Sequence, residues 1–179
     1  MNIVPIDLST IPSEPTLILA ALAETGLEVI VIGGIGAILH GDDGGTSDMD
    51  VTASTKPSDL AALVEFLRFL DAKLLVDLGD DQHGYVDEPI DEGWFVSFAS
   101  VRTVTRYGVL DVVLRPDGKP RYEDWRATAI PMPYANGTVK VASLEDIIAS
   151  KTAANRAKDH EDLGRLRRLA SLIRRRQGV

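Results

Sequence analysis

Two aspartates separated by one apolar residue, Asp48-Met49-Asp50, stand within "GTSDMDVTA". On an extended chain side chains alternate, so Met49 and Val51 share one face and Asp48 and Asp50 share the other. Paired carboxylates are hard oxygen donors of the kind that hold Mg2+ or Mn2+, with waters and substrate phosphates completing the shell. Two such donors side by side suit a two-metal site for phosphoryl transfer. A third carboxylate, Asp111, sits in "VLDVVL". A charge among apolar neighbours needs a partner, and a metal ion is one candidate. The same triplet also fits a surface strand or a turn, so its setting has to decide.

That setting is "VIVIGGIGAILHGDDGGTS". It reads as a strand ending in Gly33-Gly34, a short helix closed by Gly41, and a loop. Glycines permit close backbone approach, and helix N-terminal amides can bind phosphate, with the hydroxyls of Thr46 and Ser47 as further donors. A tight turn without a ligand is the competing reading. A dinucleotide fingerprint needs Gly-x-Gly-x-x-Gly or Ala, and Gly34-Ile35-Gly36 would put the bulky Leu39 at its last position. That reading is set aside. His40, His83 and His160 lack paired zinc spacing, and the absence of cysteine excludes a disulfide framework and thiolate metal sites.

The elements that must position these groups follow from hydrophobic period and punctuation. Residues 15–25 form a helix stopped by Gly26, and "LEVIVIGG" is a strand. Pro57 opens a helix with a stripe of Leu60, Leu63, Val64, Leu67 and Leu70. "KLLVDL" is a strand, and residues 79–93 are an acidic loop. "WFVSFASV", "RTVTRY" and "VLDVVLRP" read as strands, with a turn at Tyr107-Gly108. Asn136-Gly137 marks a hairpin between "IPMPY" and "TVKVA". Ser143 and Asp146 form a capping pair, so a helix begins at Leu144. A last helix runs from about Asp159 to Arg175 and buries Leu163, Leu166, Leu169 and Ile173. Trp94 and Trp125 belong to the core or its rim. A mixed sheet followed by helices predicts an α/β (α+β) fold. Residues 1–140 form its core and 141–179 a helical part of the same domain.

The 179 residues carry a formal net charge of −8, but unevenly. Residues 151–179 hold nine Lys/Arg and three Asp/Glu, a balance of +6; residues 1–150 hold ten and twenty-four, a balance of −14. A basic C-terminal helix can hold phosphates locally, or be a solvated face. No apolar run is long enough to span a bilayer and no signal peptide is read, so no membrane association and a cytoplasmic location are expected.

Together, the string "VIVIGGIGAILHGDDGGTSDMDV" resembles the signature of the DNA polymerase beta-like nucleotidyltransferase superfamily: a Gly-Gly or Gly-Ser turn, a short gap, then Asp-apolar-Asp. More narrowly, with "VKVASLEDIIASKTAANRAKDHEDLGRL", it is similar to the AbiEii-type branch, which includes abortive-infection proteins and toxins of toxin–antitoxin pairs. The resemblance implies transfer of a nucleoside monophosphate from an NTP to a hydroxyl, Asp48, Asp50 and Asp111 holding Mg2+ (or Mn2+). Gly33, Gly34 and Ser47 would meet phosphates. Lys151 would reach the triphosphate from a helix that also offers Arg156, with Asp159 and Asp162 beyond. The implied acceptor is tRNA, a protein, or a small molecule such as an antibiotic, and an antitoxin protein is an implied partner. The alternative is an inactive nucleotidyltransferase-like binding module or antitoxin partner. One departure favours that alternative: relatives often carry an arginine where this chain has Gly44, and Arg102 or Arg106 would have to replace it.

Overall fold

The structure is a computed structural model and describes residues 2–178. The described residues form nine strands and seven α-helices: β1 Ile3–Ile6, α1 Pro15–Thr25, β2 Val29–Ile32, α2 Gly33–Leu39, β3 Met49–Ala53, α3 Pro57–Phe69, β4 Lys73–Gly79, β5 Gln82–Val86, α4 Glu92–Ser97, β6 Ser100–Thr105, β7 Gly108–Val113, α5 Tyr122–Arg126, β8 Ile130–Tyr134, β9 Gly137–Val141, α6 Leu144–Ala154 and α7 Ala157–Gln177. The strands make one sheet in the order β1-β5-β4-β6-β7-β3-β2-β9-β8. It is mixed: β3 runs parallel to β7 and β2 to β9, while β2/β3 and β6/β7 are antiparallel. The α/β expectation therefore holds.

Strand alternation divides the interior into two layers. Val29, Val31, Met49, Val51, Leu110 and Val112 face a core that includes Leu63 and Leu67 of α3 and Ile18 of α1. Ile30 and Ile32 face the other way, toward Trp125 of α5, Ile147 of α6 and Leu166 of α7. Each fully buried Leu or Ile contributes roughly 1.5–3 kcal/mol relative to exposure. Leu63 and Leu67 are 1% and 0% exposed, so the predicted α3 stripe is a core element. On α7, Leu163, Leu166 and Ala170 are buried, while Leu169 and Ile173 are only partly so.

Two expectations fail for identifiable reasons, and the hairpin predicted at Asn136-Gly137 forms with its turn one residue earlier. The stretch "WFVSFASV" begins as a helix, α4, because Asp91 accepts a hydrogen bond from Gly93 N and caps it. Phe95 is buried there, whereas Val96 and Phe98 are exposed, so the run does not alternate as a strand before Val101. The segment 79–93 is not all loop. β5 lies within it, paired antiparallel with β4 and with β1, itself an unpredicted strand. The β8–β9 turn is Ala135-Asn136 rather than Asn136-Gly137, with Tyr134 opposite Gly137. Gly137 belongs to the strand, where a Cβ would lie 2.0 Å from the carbonyl oxygen of Ala23. Close packing of α1, not turn geometry, requires that glycine.

Candidate active site

The layer on the α6/α7 side opens into a cleft of about 810 Å³. Because Met49 and Val51 enter the opposite core, Asp48 and Asp50 emerge on this side, and both line the cleft. By the same alternation Asp111 of β7, between buried Leu110 and Val112, lines it too. Register makes the juxtaposition specific. In the parallel β3/β7 pair Asp50 is directly opposite Asp111, and in the antiparallel β6/β7 pair Arg102 is directly opposite Asp111. One row across three strands thus reads Asp50, Asp111, Arg102.

Arg102 is the counter-charge of this row. Its Nη2 donates to Asp48 Oδ2 at 2.9 Å, and its Nε lies 3.5 Å from Asp111 Oδ1. The second contact is an ion pair without hydrogen-bond geometry: Asp111 Oδ1 is buried and accepts no hydrogen bond. Burial, countered by Arg102 but reinforced by Asp50 and Asp48, pushes the Asp111 carboxyl up to about 7. Burial raises Asp50 as well, with Asp48 adding to the shift. Charge crowding of this kind is relieved by a cation. The donors are hard oxygens, one lone-pair-bearing atom is orphaned, and the neighbouring carboxylates repel, so the residues suit a divalent ion. Among the described residues, however, no three Asp, Glu or His side chains are gathered into a closed ligand set. Asp48 is turned aside, its Oδ1 accepting from Ser47 Oγ at 2.8 Å and its Oδ2 from Arg102.

The Gly33-Gly34 turn closes the end of the site next to Asp50. Gly33 has φ 62°, and a Cβ there would lie 2.2 Å from Asp50 Oδ2. A Cβ on Gly34 would lie 2.9 Å from Thr46, whose hydroxyl donates to Asp48 O at 3.3 Å. The glycines allow the carboxylate strand and the loop 42–47 to approach the turn, and both line the cleft with Thr46 and Ser47.

The facing wall comes from α6 and α7. Lys151 follows the inward stripe of Ile147, and its ammonium, 12% exposed, donates to Asp162 at 2.7 Å and Asp159 at 3.3 Å. Asp159 is fully buried and also accepts from Arg156 Nε at 2.8 Å. Burial raises the Asp159 carboxyl, but the hydrogen bonds from Arg156 and Lys151 outweigh it and hold the group below the ordinary range. Arg156 is the N-cap residue of α7 and lines the cleft. Lys158, Glu161 and Arg165, further along α7, line it as well.

Arg165 was not singled out from the sequence. The signal for it was its place three residues after Asp162 on a helix whose inward face was already read. Arg165 reaches Asp42 with Nε at 2.6 Å and Nη2 at 3.0 Å, and Asp162 at 2.8 Å. It lies against Gly44: a Cβ there would be 2.3 Å from Arg165 Nη2. The loop position that lacks an arginine is thus covered by one from α7. Arg106, in contrast, pairs with Asp71 and the carbonyl of Phe69, away from the cleft.

No family model and no curated protein matches the chain. Among solved structures, the lincomycin-bound crystal structure of the lincosamide antibiotic adenylyltransferase LnuA is similar. Its TM-score is 0.56 at 16% identity, over 89% of this chain and 99% of that one. The solution structure of the antibiotic-resistance factor ANT(2'')-Ia matches with a TM-score of 0.47 at 17% identity, over 90% of this chain and 89% of that one. At this identity the likeness to LnuA shows a shared fold alone. No helix of the described residues is long and apolar enough to cross a membrane.

Proposed function

We propose that this chain is a metal-dependent nucleotidyltransferase that moves a nucleoside monophosphate from an NTP to a hydroxyl-bearing acceptor. One observation carries the reading: Asp48, Asp50 and Asp111 converge from adjacent strands on a cleft whose facing wall presents Lys151, Arg156, Lys158 and Arg165. Carboxylates on one side and cations on the other suit a polyphosphate held between a metal and a basic surface. Asp48, Asp50 and Asp111 would hold Mg2+ or Mn2+, which supplies charge neutralisation at the phosphates and activation of the attacking oxygen.

The acceptor hydroxyl oxygen forms a bond to the α-phosphorus. The bond from that phosphorus to the bridging oxygen breaks, and pyrophosphate leaves with the electron pair. The hydroxyl proton passes to a carboxylate oxygen of the Asp50–Asp111 row. Lys151, already oriented by Asp159 and Asp162, exchanges that contact for triphosphate oxygens, and Gly33 and Gly34 let the phosphates approach the backbone. The rate comes mainly from alignment and electrostatics.

The fold likeness to an adenylyltransferase of lincosamide antibiotics, covering nearly the whole of that chain, supports a small hydroxylated acceptor. A tRNA acceptor with an antitoxin partner, the AbiEii-type reading, rests on the sequence resemblance. An inactive binding module is the alternative that the glycine at position 44 favours; Arg165 lies beside Gly44, held by Asp42 and Asp162. The test is incubation with each α-labelled NTP and Mg2+, with bulk tRNA in one arm and a panel of hydroxylated antibiotics in the other. Label on a small molecule supports the first acceptor and label on tRNA the second. Absence of Mg2+-dependent nucleotide binding by calorimetry overturns the enzymatic reading.

A further inference from the structure

Arg102 occupies the place where a cation is most needed. It projects from β6 on the same sheet face as Asp50 and Asp111, directly opposite Asp111 in register. Its guanidinium bridges Asp48 Oδ2 at 2.9 Å and Asp111 Oδ1 at 3.5 Å. With Ser47 on Oδ1, each oxygen of Asp48 already accepts one hydrogen bond, so a metal ion must compete with Arg102 for Oδ2. Yet Arg102 is not locked in place. Its side chain is 44% exposed, and it lines the cleft in which phosphates would lie. A guanidinium is a planar fork that suits phosphate as well as carboxylate.

We propose that Arg102 is a resident counter-ion of the carboxylate row that is exchanged for a divalent cation when a polyphosphate arrives to receive its guanidinium. This rests on the metal-dependent reading above. The consequence is coupling. A free metal ion must break the Arg102 pairs and leaves the guanidinium without a partner, so it binds weakly. When a polyphosphate is present the guanidinium gains new acceptors as it gives up the old ones. Each ligand then tightens the other by the same factor.

The experiment uses the whole protein and two measurements. Mn2+ alone is titrated by electron paramagnetic resonance, and a non-transferable α,β-methylene NTP analogue is titrated by calorimetry in EDTA and in Mg2+. Arg102→Ala should bind free Mn2+ roughly threefold to tenfold tighter than wild type, as expected for release of a partly exposed ion pair. The factor by which Mg2+ tightens the analogue should shrink in the same variant. Arg106→Ala removes an equal charge from the end of the same strand region without touching Asp48 or Asp111, and should change neither quantity. Arg102→Gln, which keeps much of the side-chain volume, should repeat the Arg102→Ala result if truncation itself perturbs folding. Equal Mn2+ affinities in wild type and both Arg102 variants overturn the exchange. An equal gain in Arg106→Ala also overturns it, reducing the effect to general charge. If no variant binds Mn2+ even with the analogue, the metal-dependent reading fails and this inference with it.

Discussion

Arg165 of α7 and Gly44 of the loop before β3 occupy one space: a Cβ on Gly44 would lie 2.3 Å from Arg165 Nη2 and 2.7 Å from Asp42 Oδ2. The Asp42 side chain is 4% exposed and depends on Arg165 for its main compensation. Arg165→Ala should therefore cost roughly 3 kcal/mol, because breaking a buried pair leaves a charge without its partner. Gly44→Ala, which can be met by a shift of the flexible guanidinium, should cost about 1 kcal/mol. Urea denaturation of both variants checks the order; equal losses would refute the shared-space account.

Replacing Asp48 or Asp50 by Ala should abolish Mg2+-dependent nucleotide transfer while leaving the fold intact. For Asp50 the metal-free protein should become more stable, since burial and the neighbouring Asp48 already disfavour its charge. Circular dichroism and thermal denaturation in EDTA, alongside the transfer assay, provide the check. Unchanged transfer in either variant would remove these residues from the catalytic assignment.

The raised carboxyl of Asp111 gives a pH signature. Its folded value of about 7 exceeds the ordinary 3.8, so between these limits the folded state binds more protons than the unfolded chain. Stability of the metal-free protein contributed by this group is therefore present at acid pH and is lost as pH rises from about 4 to 7. Asp50 shifts in the same direction. Asp111→Asn should flatten that part of the stability–pH curve measured in EDTA. Metal binding should show the opposite sense, weakening below neutrality because the ligand must lose its proton.

Lys151→Ala should weaken analogue binding strongly, and it should also destabilise the protein by leaving buried Asp159 with Arg156 alone. Lys158, the second residue of α7, lies on the same cleft wall, so Lys158→Ala should weaken binding with little effect on stability. Lys73→Ala, which breaks an exposed pair between Lys73 of β4 and Asp87, is the neutral control. Binding unchanged in both cleft variants would return these lysines to surface roles.

What could be read from the chain is what local periodicity determines. The one-face placement of Asp48 and Asp50 follows from strand alternation around buried Met49 and Val51. The inward side of Lys151 follows from Ile147 four residues earlier, and Ser143 does accept from Asp146 N. What could not be read is register. Nothing local places Arg102 opposite Asp111 or Asp111 opposite Asp50, because those pairings join separate strands. The same holds for β1 and β5, short stretches made into strands by pairing Ile3–Ile6 with His83–Val86. In α4 the error had a different source: the cap from Asp91 outweighed an apolar run that suited either element.

The Asp42–Arg165 contact joins residues 123 positions apart. During synthesis at about 5–20 residues per second, α7 emerges on the order of ten seconds after the loop that it must cover. Throughout that interval β3 and the Gly33-Gly34 turn have no cationic wall opposite them, and Asp42 has no guanidinium. A ribosome-bound chain can thus carry its carboxylates without a place to hold a triphosphate. The order of the elements along the chain makes assembly of the cleft wait for the docking of α7.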